Sequence, residues 1–207
     1  MTNSIDRRGL LTGALVAMAL TACGSQGVRA QATDPAARRI ESYYQQLLPT
    51  IRQASALSVR ERARRFSPAI LGAFDLGTMT RLATGPEWSR FSGSQQAAVR
   101  EAFGQFIVAD YASQIDNYSG ESFQVEPTTE VRGGDRIVKS KILKPGGSAV
   151  TINYLMRGAR VIDVYLNGTV SDLATRRDEF ASILASGGGA EALIRSMREK
   201  TQRLLGG

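Results

Sequence analysis

Three aspartates are the side chains best placed for acid–base chemistry. Asp75, Asp110 and Asp163 fall beside apolar stretches, where burial can move a carboxyl pKa toward the range in which general acids and bases work. Their spacing does not indicate a catalytic carboxylate pair, and the chain contains no histidine, which excludes His-dependent triads. We therefore expect no catalytic residue, and Asp163 is better explained as a helix cap or the partner of an arginine.

Thiol and metal chemistry are excluded on similar grounds. Cys23 is the one cysteine of the chain, so there is no disulfide framework, and a Cys/His zinc site has no ligands. We predict no metal and no cofactor. A hydrophobic content of 43% is instead ordinary for a globular protein and is sufficient for one sizeable core.

The N-terminal residues are typical of an export signal. Arg7 and Arg8 precede an apolar stretch, residues 10–20, that is too short to span a bilayer. Residues 20–23 (LTAC) resemble a lipobox, in which Cys23 would be acylated, whereas residues 30–32 (AQA) fit an ordinary signal peptidase site; both remain open. We predict an export signal over residues 1–32, a single domain over residues 33–207, and a periplasmic protein that is membrane-tethered if Cys23 is acylated.

The chain is basic, with a formal net charge of +7, and the excess persists without residues 1–32. This charge favours approach to an anionic membrane surface, although solubility alone would also explain it. No interleaved basic and aromatic motif is present, so we expect no nucleic acid partner.

Helical patterns dominate the chain up to residue 120. Ser92 and Gln95 fit a capping box, and the apolar stripe that follows predicts one long helix ending at Gly120. Helices are also expected from residue 34, ending or kinking at Pro49, and from residue 58, with a break at Pro68.

Beyond Gly120 the period changes to alternation, which predicts strands with Gly-containing turns at residues 133–134, 145–147 and 158–159. Ser171 or Thr169 then caps a helix, and residues 187–189 separate it from a last helix. This order predicts an α+β fold, in which an antiparallel sheet of about four strands packs against helices on one face.

Many short motifs of the chain, in their order and spacing, resemble the toluene-tolerance (MlaC) family of periplasmic phospholipid carriers. The motifs are residues 74–76 (FDL), 79–82 (MTRL), 85–86 (GP) with Trp88, 94–96 (SQQ), Phe103, 111–112 (YA) and 118–120 (YSG). Residues 161–169 (VIDVYLNGT) and 174–180 (ATRRDEF) are similar to the branch found with hopanoid biosynthesis genes (HpnM-like). The resemblance extends over roughly residues 35 to 205.

This resemblance implies a carrier that shuttles a membrane lipid, hopanoid or phospholipid, without converting it, in a cavity between the sheet and the helices. It also implies two partners, an inner-membrane lipid transporter complex and an outer-membrane acceptor. The apolar residues that we expect to bind the lipid are Leu71, Phe74, Met79, Leu82, Trp88, Phe103, Ile107, Tyr111, Ile142, Val150, Ile152, Tyr154, Val164 and Leu166.

Two alternatives come from other functional classes. The same apolar residues could form a fully packed core, which would leave a periplasmic interaction lipoprotein that carries nothing. A small enzyme on a similar cone-shaped α+β fold would need acid–base groups in its pocket, for which Asp75, Asp110 and Asp163 are the candidates.

Overall fold

Five consecutive antiparallel strands form one sheet in the computed structural model, which describes residues 33–206. The strands are β1 (Ser122–Arg132), β2 (Asp135–Leu143), β3 (Ala149–Arg157), β4 (Arg160–Leu166) and β5 (Val170–Ser171). The helices are α1 (Pro35–Ile51), α2 (Val59–Ala73), α3 (Leu76–Thr84), α4 (Gly93–Ser113), α5 (Asp172–Ile183) and α6 (Gly189–Leu204). The predicted α+β class is confirmed.

The sheet is a meander in the order β1-β2-β3-β4-β5, and its turns lie at the predicted glycines. It has one strand more than expected, because residues 167–169 turn the chain back and pair Val170 with Leu166. Asn167 and Gly168 both have positive φ, 51° and 79°. An Asn-Gly pair suits such a turn, since these residues adopt positive φ most readily.

Helix caps explain where several helices begin. The capping box of Ser92 and Gln95 is present at α4, as predicted. Of the two candidate caps for α5, Ser171 is used, and its hydroxyl accepts a hydrogen bond from the Ala174 amide at 2.9 Å. Each cap satisfies a backbone N–H that the first helical turn leaves without a partner.

The expected break at Pro68 and an end of α1 at Pro49 are both wrong, whereas a kink of α1 at Pro49 stays a prediction. Helix α1 continues past Pro49 to Ile51, and α2 continues through Pro68 to Ala73. A proline inside a helix removes one backbone hydrogen bond. Both prolines are exposed, so water can reach the carbonyls that they leave unpaired and each helix can continue.

Helix α4 ends at Ser113, earlier than the predicted cap at Gly120. The side chain of Arg62 donates a hydrogen bond to the carbonyl of Ala112 at 3.1 Å, and Ser113 Oγ donates to the Asp110 carbonyl at 2.7 Å. These side chains satisfy carbonyls of the last turn, and residues 114–121 then lead to β1 without a regular element. Gly120 has a φ of 101° in that connection.

The helices form a second layer that covers one face of the sheet. Helix α1 packs on β1 and β2, while α4 lies among α2, α3 and α6. The rings of Phe103 and Phe180 meet edge to face inside this helical layer, with centroids 6.0 Å apart. Within residues 33–206, no helix has the length and apolar character needed to cross a bilayer.

The helical layer is also joined to the sheet through the backbone. The amide of Asp75, between α2 and α3, donates a hydrogen bond to the Val161 carbonyl of β4 at 2.8 Å. A second such bond joins the Asp34 amide to the Pro127 carbonyl of β1 at 2.8 Å. The two layers are thus joined at two places, and the space between them contains the candidate site.

Candidate functional site

A cavity of about 400 Å³ lies between the inner face of the sheet and helices α1, α2 and the end of α4. This volume is within the usual range of small-molecule sites, roughly 300–1,000 Å³. The residues that line it are Tyr43, Tyr44, Leu47, Ile51, Phe66, Ile70, Phe74, Tyr111, Gln114, Ile115, Phe123, Ile142, Val150, Ile152, Tyr154, Val164, Leu166 and Asn167.

Helix α1 provides one wall of the cavity. Tyr43, Tyr44, Leu47 and Ile51 recur at steps that place them on one helical face, and all four are buried. The start of α1 is fixed by Asp34, whose carboxylate accepts hydrogen bonds from the Ala36 amide and Thr129 Oγ1, each at 2.8 Å. This wall is therefore held against β1 by the residue that caps it.

The sheet provides the opposite wall through the alternation of its side chains. On β3, Val150, Ile152 and Tyr154 point to the same face. Val150 pairs with Ile142 of β2, and Ile152 pairs with Leu166 of β4. A strand places every second residue on the inner face, so the predicted alternation selects the lining residues of these strands correctly.

Aromatic rings make up much of the buried end of the cavity. The rings of Tyr44 and Phe123 are stacked at 4.5 Å, and Tyr43 contacts Phe74 edge to face at 5.4 Å. Tyr111 also meets Phe74 edge to face, with ring centroids 5.8 Å apart. Edge-to-face and offset contacts of this kind are favourable, so these rings hold one another in place around the space.

A chain of hydroxyl groups crosses this apolar wall. Tyr154 donates a hydrogen bond to the Tyr44 hydroxyl at 2.9 Å, Tyr44 is 2.8 Å from Ser140 Oγ, and Ser140 donates to the Ile152 carbonyl. Because Ser140 gives its proton to the carbonyl, Tyr44 is the donor to Ser140. Burial raises the pKa of both Tyr44 and Tyr154 above the ordinary tyrosine value, so both are neutral.

Charged groups that do not line the cavity fix the position of the Tyr111 side chain. Its hydroxyl donates a hydrogen bond to Asp172 Oδ2 at 3.2 Å, and Asp172 lies 3.1 Å from Arg176. Arg176 also pairs with Asp110, and its guanidinium lies 4.7 Å from the centroid of the Phe106 ring. The group fixes the Tyr111 ring while its charges stay outside the cavity.

The cavity opens where its lining is polar or exposed. Gln114 and Asn167 are exposed, and Leu166 is 37% exposed, whereas Tyr43, Ile70 and Phe74 at the other end are 5% exposed or less. Every residue of the lining is uncharged. The arrangement suits a mainly apolar molecule whose most polar group lies at the opening.

The three aspartates that could have served an enzyme do not line the cavity. Asp75 caps α3 by accepting from the Thr78 amide at 2.9 Å, and Asp110 pairs with Arg176. Asp163 accepts from Ser171 Oγ at 2.7 Å and from the Leu173 amide at 3.0 Å, a cap rather than an arginine partner. Burial raises the pKa of Asp163, but its carboxylate is not part of the cavity lining.

The structure brings several of the predicted lipid-binding residues together in the cavity and leaves others outside it. Those in the lining are Phe74, Tyr111, Ile142, Val150, Ile152, Tyr154, Val164 and Leu166. Those outside it are Leu71, Met79, Leu82, Trp88, Phe103 and Ile107.

The residues outside the lining fall into two groups, buried and exposed, with Trp88 between them. Met79, Phe103 and Ile107 are completely buried between helices, where they pack the core. Leu71 is 49% exposed and lines a separate surface groove with Leu76, and Leu82 is 38% exposed on α3.

Trp88 packs on Phe91 beside the start of α4, at a centroid distance of 6.3 Å. A helical period identifies the apolar side of a helix but not the layer that this side faces.

Sequence reasoning missed the contribution of α1 and of residues 114–115. The stripe of Tyr43, Tyr44, Leu47 and Ile51 was a detectable signal, because paired tyrosines with long aliphatic residues give a wide apolar face. Phe123 could also have been found by the alternation in β1. Asn167 had a signal as well, since Asn-Gly between apolar strands is a strong hairpin indicator.

Cys23 and the predicted export signal lie outside the described residues, so acylation and the boundary at residue 32 stay predictions. Within the described part of the chain, no group of three or more Asp, Glu, Cys or His residues is arranged to hold a metal ion.

A scan against protein-family models places the chain among known proteins. The model for the MlaC protein matches residues 41–199, which include every helix from α2 to α5, all five strands and every residue of the cavity lining. The chain belongs to the MlaC family. A comparison with curated protein sequences found no match.

A solved structure shares the MlaC-family fold of this chain. It is that of a phospholipid-binding protein from Ralstonia solanacearum in complex with a phospholipid. The TM-score is 0.71 at 19% sequence identity, and the match covers 82% of this chain and 98% of the other. The likeness extends over most of the chain and is a likeness of fold.

Proposed function

We propose that this member of the MlaC family is a periplasmic lipid carrier that binds the apolar part of a membrane lipid in its cavity and performs no chemistry on it. The observation that carries the proposal is the uncharged cavity of about 400 Å³ between the two layers. The phospholipid bound to the Ralstonia solanacearum protein of the same fold supports it.

The physical need for such a carrier follows from the hydrophobic effect. Exposing a lipid chain of about 16 carbons to water costs on the order of 12 kcal/mol, at roughly 0.8 kcal/mol per CH2 group. An apolar cavity that takes up the chain removes most of this cost. The protein can then exchange its cargo between an inner-membrane lipid transporter complex and an outer-membrane acceptor, the two partners of the proposed cycle.

The cargo in this proposal is a hopanoid or a phospholipid. Export by residues 1–32 would deliver the protein to the periplasm, where both lipids are accessible at membrane surfaces. Acylation of Cys23 would tether it there. The basic surface supports the approach to anionic membranes.

The decisive experiment is native mass spectrometry of the protein purified from its own periplasm, with extraction and identification of the lipid released. We expect one lipid per protein, and its identity selects between hopanoid and phospholipid. An apo mass, together with no uptake from vesicles that contain both lipids, would contradict the proposal.

A pair of variants tests whether the lipid occupies this cavity. Ile142→Trp places a large ring in the cavity, so we expect the bound lipid to be lost because the space is filled. Ile137→Trp is the matched control, since Ile137 lies on the same strand but on the outer face. Equal lipid content in both variants would show that the lipid binds outside this cavity.

A further inference from the structure

Four tyrosines line the cavity, and one of them differs from the rest in its hydrogen bonding. Tyr154 donates to Tyr44, Tyr44 donates to Ser140, and Tyr111 donates to Asp172. The hydroxyl of Tyr43 has no partner within residues 33–206, although the residue is only 5% exposed. Among the tyrosines of the lining, it is therefore the one whose proton is not already used within residues 33–206.

The unpaired hydroxyl is not sealed in the core. In the described part of the chain, the fully buried side-chain atoms without a hydrogen-bond partner are Asn153 Oδ1 and Arg176 Nε. The Tyr43 oxygen is not one of them, so it remains accessible, and its ring lines the cavity. A molecule inside the cavity therefore meets the residue whose hydroxyl has no partner within residues 33–206.

Burial gives this hydroxyl a definite chemical role. Desolvation raises the pKa of Tyr43 far above the ordinary tyrosine value, so the group is a neutral donor at every physiological pH. Water can satisfy the hydroxyl while the cavity is empty. A ligand that expels this water and offers only hydrocarbon leaves the hydroxyl unpaired, which weakens the binding of that ligand.

We propose that Tyr43 is a specificity-determining residue that donates a hydrogen bond to an oxygen atom in the buried part of the lipid. This inference rests on the proposed carrier function. The rest of the lining is uncharged and its other tyrosine protons are engaged, so Tyr43 favours a neutral acceptor oxygen over a plain hydrocarbon. Such an oxygen is either the ester carbonyl of a phospholipid or a hydroxyl group on a polycyclic lipid.

The test compares lipids that differ by this oxygen. The first pair is a diester phosphatidylglycerol and its diether analogue, and the second is a pentacyclic triterpenoid with and without a hydroxyl group. We expect the wild-type protein to bind the oxygen-bearing member of one pair about three- to tenfold more tightly, and Tyr43→Phe to lose this preference. The pair that responds identifies the source of the oxygen.

Two controls separate recognition from folding. Tyr165→Phe removes a hydroxyl from the outer face of β4 and should leave the preference unchanged, since Tyr165 does not line the cavity. The melting temperature of lipid-free Tyr43→Phe should equal or exceed that of the wild type, because the Tyr43 hydroxyl has no hydrogen-bond partner within residues 33–206. A fall of several degrees would assign the hydroxyl an internal role and overturn the proposal.

The remaining outcomes are distinct. If the wild type binds both members of each pair equally, or if Tyr43→Phe keeps the wild-type preference, the role of Tyr43 is overturned while the carrier function stands. If the wild type binds none of the four lipids, the proposed function and the role of Tyr43 fall together.

Discussion

At the scale of single residues, Arg62 connects three segments around the cavity. Its guanidinium is buried and donates hydrogen bonds to the carbonyls of Ala112, Ala54 and Leu57, at 3.1, 2.9 and 2.6 Å. A charged donor to neutral carbonyls makes strong bonds in a buried place, provided that every acceptor is well oriented. One side chain thereby fixes the end of α4 and the short 3-10 turn that follows α1.

We expect Arg62→Met to destabilise the protein by about 3 kcal/mol, because several buried carbonyls lose their donor at once. Urea denaturation followed by circular dichroism measures the change. Arg60→Met is the matched control, since Arg60 is exposed on the same helix and its replacement should change stability by less than about 0.5 kcal/mol. Similar losses of stability in the two variants would show that water replaces Arg62 as the hydrogen-bond donor to these carbonyls.

At the scale of elements, α1 is the cavity wall that the fold ties down at its N-terminal cap. Asp34 caps the helix, accepts a hydrogen bond from Thr129 of β1, and forms an ion pair of 3.0 Å with Arg136 of β2. The pKa of Asp34 is lowered below 3.8, chiefly by the hydrogen bonds from the Ala36 amide and Thr129. One carboxylate therefore joins the cavity-lining helix to two strands.

Asp34→Ala should lower the unfolding free energy by about 1–2 kcal/mol near pH 7, the usual effect of losing a good cap. Because the folded-state pKa is the lower one, the unfolded chain binds the proton first as the pH falls. The stabilisation by the Asp34 carboxylate is complete above the unfolded-state pKa and is lost as the pH falls through the folded-state pKa. The difference in unfolding free energy between wild type and Asp34→Ala should therefore close as the pH falls below about 3.8.

Urea titrations of wild type and Asp34→Ala from pH 7 to about pH 2.5 check this expectation. Asp116→Ala serves as the control, because Asp116 is exposed in the connection after α4 and its replacement should change stability by less than about 0.5 kcal/mol. A constant difference between wild type and Asp34→Ala at all pH values would contradict the role of the ionised carboxylate.

At the scale of the whole molecule, the cavity leaves the two layers with less mutual packing than a filled core would provide. Empty space lined by apolar side chains forfeits dispersion contacts, and a ligand that fills it restores them. Since the cavity is bounded by α1, α2, the end of α4 and four strands, its occupant should stabilise both layers together.

Lipid binding should therefore raise the melting temperature. With free lipid at about 100 times Kd the gain is about 2.7 kcal/mol, or roughly 5 to 10 °C for a domain of this size. Differential scanning calorimetry of delipidated and reloaded protein measures it. Ile137→Trp should keep the increase and Ile142→Trp should lose it; an equal increase in both would indicate that the lipid stabilises from another surface.

Much of the fold is determined by local sequence. Helix starts at Asp34, Ser92 and Ser171 depend on a cap and the residues directly after it, and the strands follow from alternation between glycine turns. The absence of histidine likewise restricts the chemistry of the chain whatever its fold. These features are decided within a few residues of the chain, so the sequence alone is sufficient to predict them.

Tertiary structure decided the features that depend on distant residues. Helix α4 ends at Ser113, where Arg62, far away in the chain, donates a hydrogen bond to the Ala112 carbonyl, and β5 exists because Val170 pairs with Leu166. The cavity itself is of this kind: periodicity marks Phe103 and Tyr111 alike as inward, yet one packs against α5 and the other faces the space. Which apolar side chains meet one another and which line a gap depends on how the layers are spaced, and no local pattern encodes that distance.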